Sequence, residues 1–304
     1  MSLIKKIRTL LSNCKINFMA IHKIALIFSI ISIIVSIGLV AFKGLNLGID
    51  FAGGILIEAR INQKFATSEI REKLSQQIDD IHIQESDNDI IIRVAKPQGE
   101  PNLLIEKIKN ILVENYSNIE YRKIDFVGPQ VGSELIFKGL LALVLSFIFI
   151  MIYIWIRFDW QFGVGGIFAL IHDTFLTLGF FAITGIEFNL TSIASILTII
   201  GYSINDSVVI YDRIRENLKL HPKIDLSNLI NSSTNSTLSR TILTASTTLI
   251  SLLALILFGG EALFSFSIAT FFGILIGTYS SIYISAPILL YFDPRKKDPK
   301  KANI

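Results

Sequence analysis

The chain has 304 residues, of which 51% are hydrophobic and 17% charged, with a net charge of +3. Soluble domains carry roughly a quarter charged residues, so an ordinary soluble domain is excluded. The small charge says little about partners, no nucleic-acid partner is expected, and the single cysteine, Cys14, can form no internal disulfide and reads as an inert thiol.

Charged residues cluster at both ends, in one middle stretch and in short islands between long apolar runs. A membrane-crossing helix needs about 20 mostly apolar residues, and each run is near that length. Residues 1–23 are expected as a cytoplasmic N-terminal segment and 24–43 as the first transmembrane helix. Its apolar run, 24–42, has no small-x-small cleavage site and so reads as a retained helix, not a signal. A polar segment, 44–134, is expected as a periplasmic α+β domain. Residues 135–292 hold transmembrane helices two to six, at 135–156, 162–183, 190–210, 241–258 and 263–292, and 293–304 form a cytoplasmic basic tail. The last run is long enough to tilt, or to kink at Pro287.

Basic residues set the orientation. Lys5, Lys6, Arg8, Lys15 and Lys23 precede the first run, and Arg295, Lys296, Lys297, Lys300 and Lys301 follow the last. Six spans place both ends on one side, which the rule makes the cytoplasm. Arg157 and the group Arg213, Arg215, Lys219 and Lys223 then fall in cytoplasmic loops, while the short loops near Glu187 and Glu261 contain no Lys or Arg. The polar segment must lie outside.

Within that segment Ile55, Ile57, Ala59 and Ile61 alternate with Leu56, Glu58 and Arg60, which is a strand period. Thr67 and Ser68 are expected to cap a helix with Glu69 in its first turn and Ile70, Leu74 and Ile78 on one face. Strands at Ile81 and Ile83 and at Ile90, Ile92 and Val94 flank a turn at Asp87-Asn88. Pro101 starts a second helix with Leu104, Ile108 and Leu112 aligned. A last strand runs over 119–127, its alternation slipping phase after Tyr121 as at a bulge. The order βαββαβ predicts a ferredoxin-like unit.

Ionisable groups inside a membrane span are costly and by default suggest function. Ser195, Thr198, Tyr202 and Asp206 recur at spacings of three and four, forming a polar stripe that includes neighbouring Asn205. Thr237, Thr241, Thr244, Thr248 and Ser251 form a matching stripe on the fifth span, with Arg240 beside Thr241. Antiparallel packing puts Asp206 and Arg240 at similar depth, where a carboxylate and a guanidinium can pair. His172 and Asp173 lie near the middle of the third span. Adjacent helical residues point about 100° apart, so Asp173 is expected toward the bundle and His172 toward a second partner. Polar glue between helices is the plainer account of all these groups. Gly273 and Gly277 make a GxxxG pair, a weak packing signal. Gly48, Gly53 and Gly54 after the first span, and Gly128 on the return, are expected as hinges. No phosphate loop, nucleophile motif or metal-ligand spacing occurs, and His22, His82, His172 and His221 are scattered. An enzyme is not expected.

Several of these stretches carry a resemblance. Gly44-Leu-Asn-Leu-Gly-Ile-Asp-Phe-Ala-Gly-Gly54, Val127-Gly-Pro-Gln-Val-Gly-Ser-Glu-Leu135 and Ala169-Leu-Ile-His-Asp173 resemble signatures of the SecF branch of the SecD/SecF family. So do Tyr202-Ser-Ile-Asn-Asp206 through Arg213-Ile-Arg-Glu-Asn217, and Thr237-Leu-Ser-Arg-Thr-Ile-Leu-Thr-Ala-Ser-Thr-Thr-Leu249. Ala245 and Ser207 are small-residue variants in those motifs. The resemblance implies a six-helix half of a resistance-nodulation-division (RND) type bundle in the bacterial inner membrane. It implies SecD as the partner that completes twelve helices, with the SecYEG channel and YajC as associates. It implies preprotein substrates, no cofactor beyond the proton motive force, and a proton path through Asp206 and Arg240; Asp173 and His172 are the further candidates for that path. A stand-alone RND-type transporter of small solutes or lipids, or a non-conducting scaffold, are the alternatives. The first calls for a larger substrate-binding domain and usually twelve spans in one chain.

Overall fold

The computed structural model describes residues 16–61, 66–78, 81–86, 89–94, 100–116 and 118–295. Cys14 and the Asp87-Asn88 turn lie outside these. The chain forms two units, an α/β unit of residues 47–141 and a helical unit built from the rest.

In the α/β unit, β1 (Gly54–Ile61) is followed by α2 (Thr67–Ser75), the hairpin β2 (Ile81–Ser86) and β3 (Asp89–Val94), α3 (Pro101–Asn115) and β4 (Ile119–Val127); α1 (His22–Lys43) belongs to the helical unit. The sheet order is β2-β3-β1-β4, antiparallel throughout, as the βαββαβ pattern predicts. The alternating apolar residues of β1 pack with Ile90 and Ile92 of β3 against Ile70 and Leu74 of α2 and Ile108 and Leu112 of α3. The β1–β4 register shifts between Glu58 and Ala59, which face Lys123 and Tyr121, so Arg122 is the extra residue of a bulge. The bulge directs Arg122 onto Asp89 at 2.8 Å, beside Arg60, which reaches the same carboxylate at 2.8 Å from the opposite register position.

Two expectations change here. The N-cap of α2 is Ala66, with Thr67 and Ser68 inside the first turn, because the chain enters the helix one residue earlier than a hydroxyl cap requires. Of the four hinge glycines, Gly53 (φ 73°) and Gly54 (φ 119°) occupy backbone that other residues avoid, whereas Gly48 has φ −71° and Gly128 is not in the left-handed region. The Gly53-Gly54 pair closes a short helical turn, Ile49–Ala52, and opens β1.

Among the described residues six helices are long and apolar enough to cross a membrane. They are α1 (His22–Lys43), α4 (Pro129–Arg157), α5 (Trp160–Thr184), α6 (Leu190–Leu220), α7 (Leu226–Phe258) and α8 (Glu261–Ser280), the last continuing through a π turn at Ser281–Ser285 and a helical turn at Ala286–Ile288. Two of them outrun their apolar stretches. α6 continues ten residues past 210 because Tyr211 and Ile214 keep its buried face apolar. α7 begins at Leu226, fifteen residues before 241, capped by the Asp225 side chain, which accepts from the Asn228 amide at 3.2 Å, with Leu229 and Ile230 buried. Hydropathy marks the length that fits hydrocarbon, while packing decides where a helix stops. Just before Pro287 the helix widens into the π turn, where the Ala286 amide bonds to the Ser281 carbonyl.

The GxxxG pair is a close contact. A methyl group at Gly273 would collide with Ile199, and one at Gly277 would lie 3.2 Å from Ser203 Cβ, so α8 rests backbone-close on α6.

Candidate functional site

A buried polar cluster joins α5, α6 and α8. Asp173 is 0% exposed and His172 1%. A carboxylate taken out of water is tolerated only with partners, and Asp173 has three. His172 Nδ1–H donates to Oδ1 at 2.9 Å, while Ser203 Oγ of α6 (2.5 Å) and Ser280 Oγ of α8 (2.8 Å) donate to Oδ2. Thr177 Oγ1 donates to the Asp173 carbonyl at 2.7 Å one turn on. The close approach at Gly277, where an added methyl group would lie 3.6 Å from Asp173 Oδ2, brings the Ser280 hydroxyl within reach.

This corrects the expectation that Asp173 and His172 face different neighbours. The two side chains fold toward each other, and both meet α8: Asp173 at Ser280, and His172 at the Tyr279 ring, 5.9 Å between centroids. Adjacent residues on α8 span the same 100° as adjacent residues on α5, so one helix can serve both. Tyr279 in turn hydrogen-bonds Ser29 of α1 at 3.0 Å. His172 Nε2 is buried without a hydrogen-bond partner.

Asp206 presents the opposite case. It is 3% exposed, and its Oδ2 is buried with no hydrogen-bond partner. It forms no ion pair with Arg240, which is exposed on α7, although Arg240 stands within electrostatic range. The expected pairing is not made. Close by, Ser207 Oγ and Thr241 Oγ1 are also buried without partners.

The two polar stripes divide. Ser195 and Thr241 are buried, Tyr202 and Thr248 half-buried, and Thr198, Asn205, Arg240 and Thr244 exposed. Tyr202 sits against an apolar cluster of Ala245, Leu252 and Ile274, beside Thr244 and Thr248. The hydroxyls of Thr244 and Thr248 donate to carbonyls one turn back, Arg240 O at 2.9 Å and Thr244 O at 3.1 Å. Thr244 and Thr248, satisfied on their own helix, offer no hydroxyl to Asp206.

Ser203, Ser280 and the Tyr211–Ser285 pair, 2.6 Å between oxygens, were not singled out from sequence. Serines are common in membrane helices. The signal available was the doublet Ser280-Ser281 in an otherwise apolar run, at the depth of Asp173. Among the described residues no group of three or more His, Cys, Asp or Glu is arranged to hold a metal ion.

Two family models match the chain: "Protein export membrane protein SecD/SecF, C-terminal" over residues 107–295 and "SecD/SecF GG Motif" over 38–64. The second covers the Gly53-Gly54 pair. The chain is 52% identical to Protein translocase subunit SecF of Rickettsia bellii (strain OSU 85-389), over 95% of this chain and 97% of that protein. It is 51% identical to the same subunit of Rickettsia rickettsii (strain Sheila Smith), over 97% of each. Among solved structures it resembles Thermus thermophilus SecDF, described as a translocon-associated membrane protein, with a TM-score of 0.84 and 34% identity. That match covers 92% of this chain and 39% of the SecDF chain, so this chain spans well under half of that protein. SecDF in a super-membrane-facing form matches with a TM-score of 0.70 at 32% identity, covering 96% of this chain and 40% of that one.

Proposed function

The chain belongs to the SecD/SecF family of protein-export membrane proteins, and on that premise we propose that it couples the proton motive force to preprotein export as the SecF-type subunit of the Sec translocase. It is a multi-pass membrane protein with an accessory role in Sec export. Its partner is SecD, which supplies the other six helices; SecYEG and YajC are its further associates, and both its termini lie in the cytoplasm of the inner membrane. The exposed polar positions Asn205, Arg240 and Thr244 support a protein partner on α6 and α7, since hydrocarbon would not solvate them.

One observation carries the proton-coupled reading: Asp206 Oδ2 is buried in a membrane helix with no hydrogen-bond partner among the described residues, and an exposed cation, Arg240, stands nearby unpaired with it. A neighbouring carboxylate, Asp173, is fully satisfied and so suited to holding helices together. Asp206 holds a proton while Arg240 stands off and releases it when the guanidinium approaches. Each proton crossing the full potential releases about 2.3 kcal/mol per 100 mV, enough to bias a two-state domain. His172 and Asp173 order the adjoining wall of that path, and the Gly53-Gly54 turn passes motion into the α/β unit.

The test is gradient-dependent preprotein transport into membrane vesicles. Asp206→Asn keeps size and polarity but cannot titrate; it is expected to assemble normally and lose stimulation by the gradient. Arg240→Met behaves alike, with Arg240→Lys retaining part. Full stimulation with Asp206→Asn overturns the carrier role and leaves a scaffold.

A further inference from the structure

On another flank of the helical unit, α1, α5 and α8 enclose an apolar groove of about 380 Å³. Its floor is the stacked pair Phe180 and Phe272, with ring centroids 4.5 Å apart and planes 15° apart. Along α1 the lining runs from Phe28 through Val35 to Leu39, which is roughly 16 Å at 1.5 Å per residue. A hydrocarbon core is about 30 Å thick, so the groove has the depth of one leaflet. Within the lining Gly179 of α5 lies so close to Ser36 of α1 that a methyl group there would overlap the serine side chain.

One turn beyond Leu39, at the end of α1, stands Lys43. Its Nζ donates to the carbonyl of Ile183, which lines the same groove from α5, at 2.8 Å. An ammonium has three N–H donors, so this contact leaves others for an anion. The lysine is exposed and bridges the two helices at the mouth of the groove. Neither α6 nor α7, which carry the exposed polar positions, contributes to the lining. The groove is therefore open to hydrocarbon, as long as one acyl chain, and marked by a cation at the level where a lipid headgroup sits.

We propose that this groove is a binding site for an anionic phospholipid, one acyl chain lying over Phe180 and Phe272 with the phosphate at Lys43. The site accounts for a flat aromatic floor facing the membrane and for a lysine held at its rim by a backbone carbonyl. It does not depend on proton coupling, and its occupant would steady α1 against α5.

The full chain, purified with the partner it carries, is reconstituted into phosphatidylcholine vesicles. These contain a trace of phosphatidylglycerol or phosphatidylcholine bearing a photoreactive group in the acyl chain, and adducts are mapped by peptide mass spectrometry. Preferential phosphatidylglycerol adducts on the α1 and α5 peptides are expected, with no headgroup preference at the outward-facing Ile250 of α7. Lys43→Gln lowers the phosphatidylglycerol yield in the groove about fivefold, as expected for one basic residue at a lipid surface, and leaves the phosphatidylcholine yield unchanged. Val35→Trp fills the groove and removes both. Equal yields from the two lipids in the unaltered groove, or no adducts there, overturn the proposal.

Discussion

Ser280 Oγ on α8 donates to Asp173 Oδ2 on α5 at 2.8 Å, and Ser203 Oγ on α6 donates to the same oxygen at 2.5 Å. Three helices thus meet on one carboxylate oxygen in the interior of the bundle. Hydrogen bonds to a charged group contribute about 1.5–3 kcal/mol each, more than neutral ones.

Ser280→Ala removes one of the two hydroxyl donors. The expected loss of stability is about 1–2 kcal/mol, read as a lower midpoint in thermal unfolding of the purified protein in mild detergent. Ser203→Ala is expected to behave alike. The double change should cost more than the sum, because the first loss leaves Asp173 a remaining hydroxyl and the second leaves none. Strict additivity would mean that the serines do not share the carboxylate.

Close packing of α8 on α6 yields a second expectation. Gly273→Ala places a methyl group against Ile199 and is expected to destabilise by about 1–3 kcal/mol. Ile199→Ala in the same chain makes room and should restore part of that loss, although alone it leaves a cavity. A double-mutant cycle in detergent measures the coupling. Gly273→Ala without effect, in either background, would show that the two helices stand further apart than described.

The basic loops predict the orientation, and labelling checks it. In a chain with Cys14 replaced by serine, a cysteine at Lys107 in the α/β unit is expected to react with an impermeant thiol reagent added to cells with the outer membrane permeabilised and the inner membrane intact. A cysteine at Lys219 is not. Labelling at Lys219 alone would place both termini outside.

Charges in apolar runs are conspicuous, so Asp173, His172, Asp206 and Arg240 were visible from sequence. What they touch was not. Whether Asp206 reaches Arg240 depends on a few degrees of helix rotation and a side chain's rotamer, neither of which residue spacing encodes. The partners of Asp173 were hidden because serine occurs throughout membrane helices, and only the faces that α6 and α8 turn inward select Ser203 and Ser280. The α/β unit was the more legible part. Its strand alternation and Pro101 placed each element, and the phase slip after Tyr121 located the bulge, because one face of every strand must be apolar. Helix ends were read short in α6 and α7, where buried faces continue beyond the bilayer-length apolar run.

The π turn at Ser281–Ser285 fixes a count. An α-helix turns about 100° per residue, and widening one turn to an i→i+5 bond sets all later residues back by a fraction of a turn. Past that point the faces of α8 no longer continue those of its first twenty residues. Ser285 meets Tyr211 at 2.6 Å, and its carbonyl lies where a side chain on Gly165 would need to be, 2.6 Å from that Cβ position. Both contacts depend on the offset. This short stretch is therefore sensitive to length in a way that its composition hides. Exchanging one small residue for another leaves the offset intact, whereas deleting one relaxes the turn to an ordinary helix and swings Ser285 away from both partners.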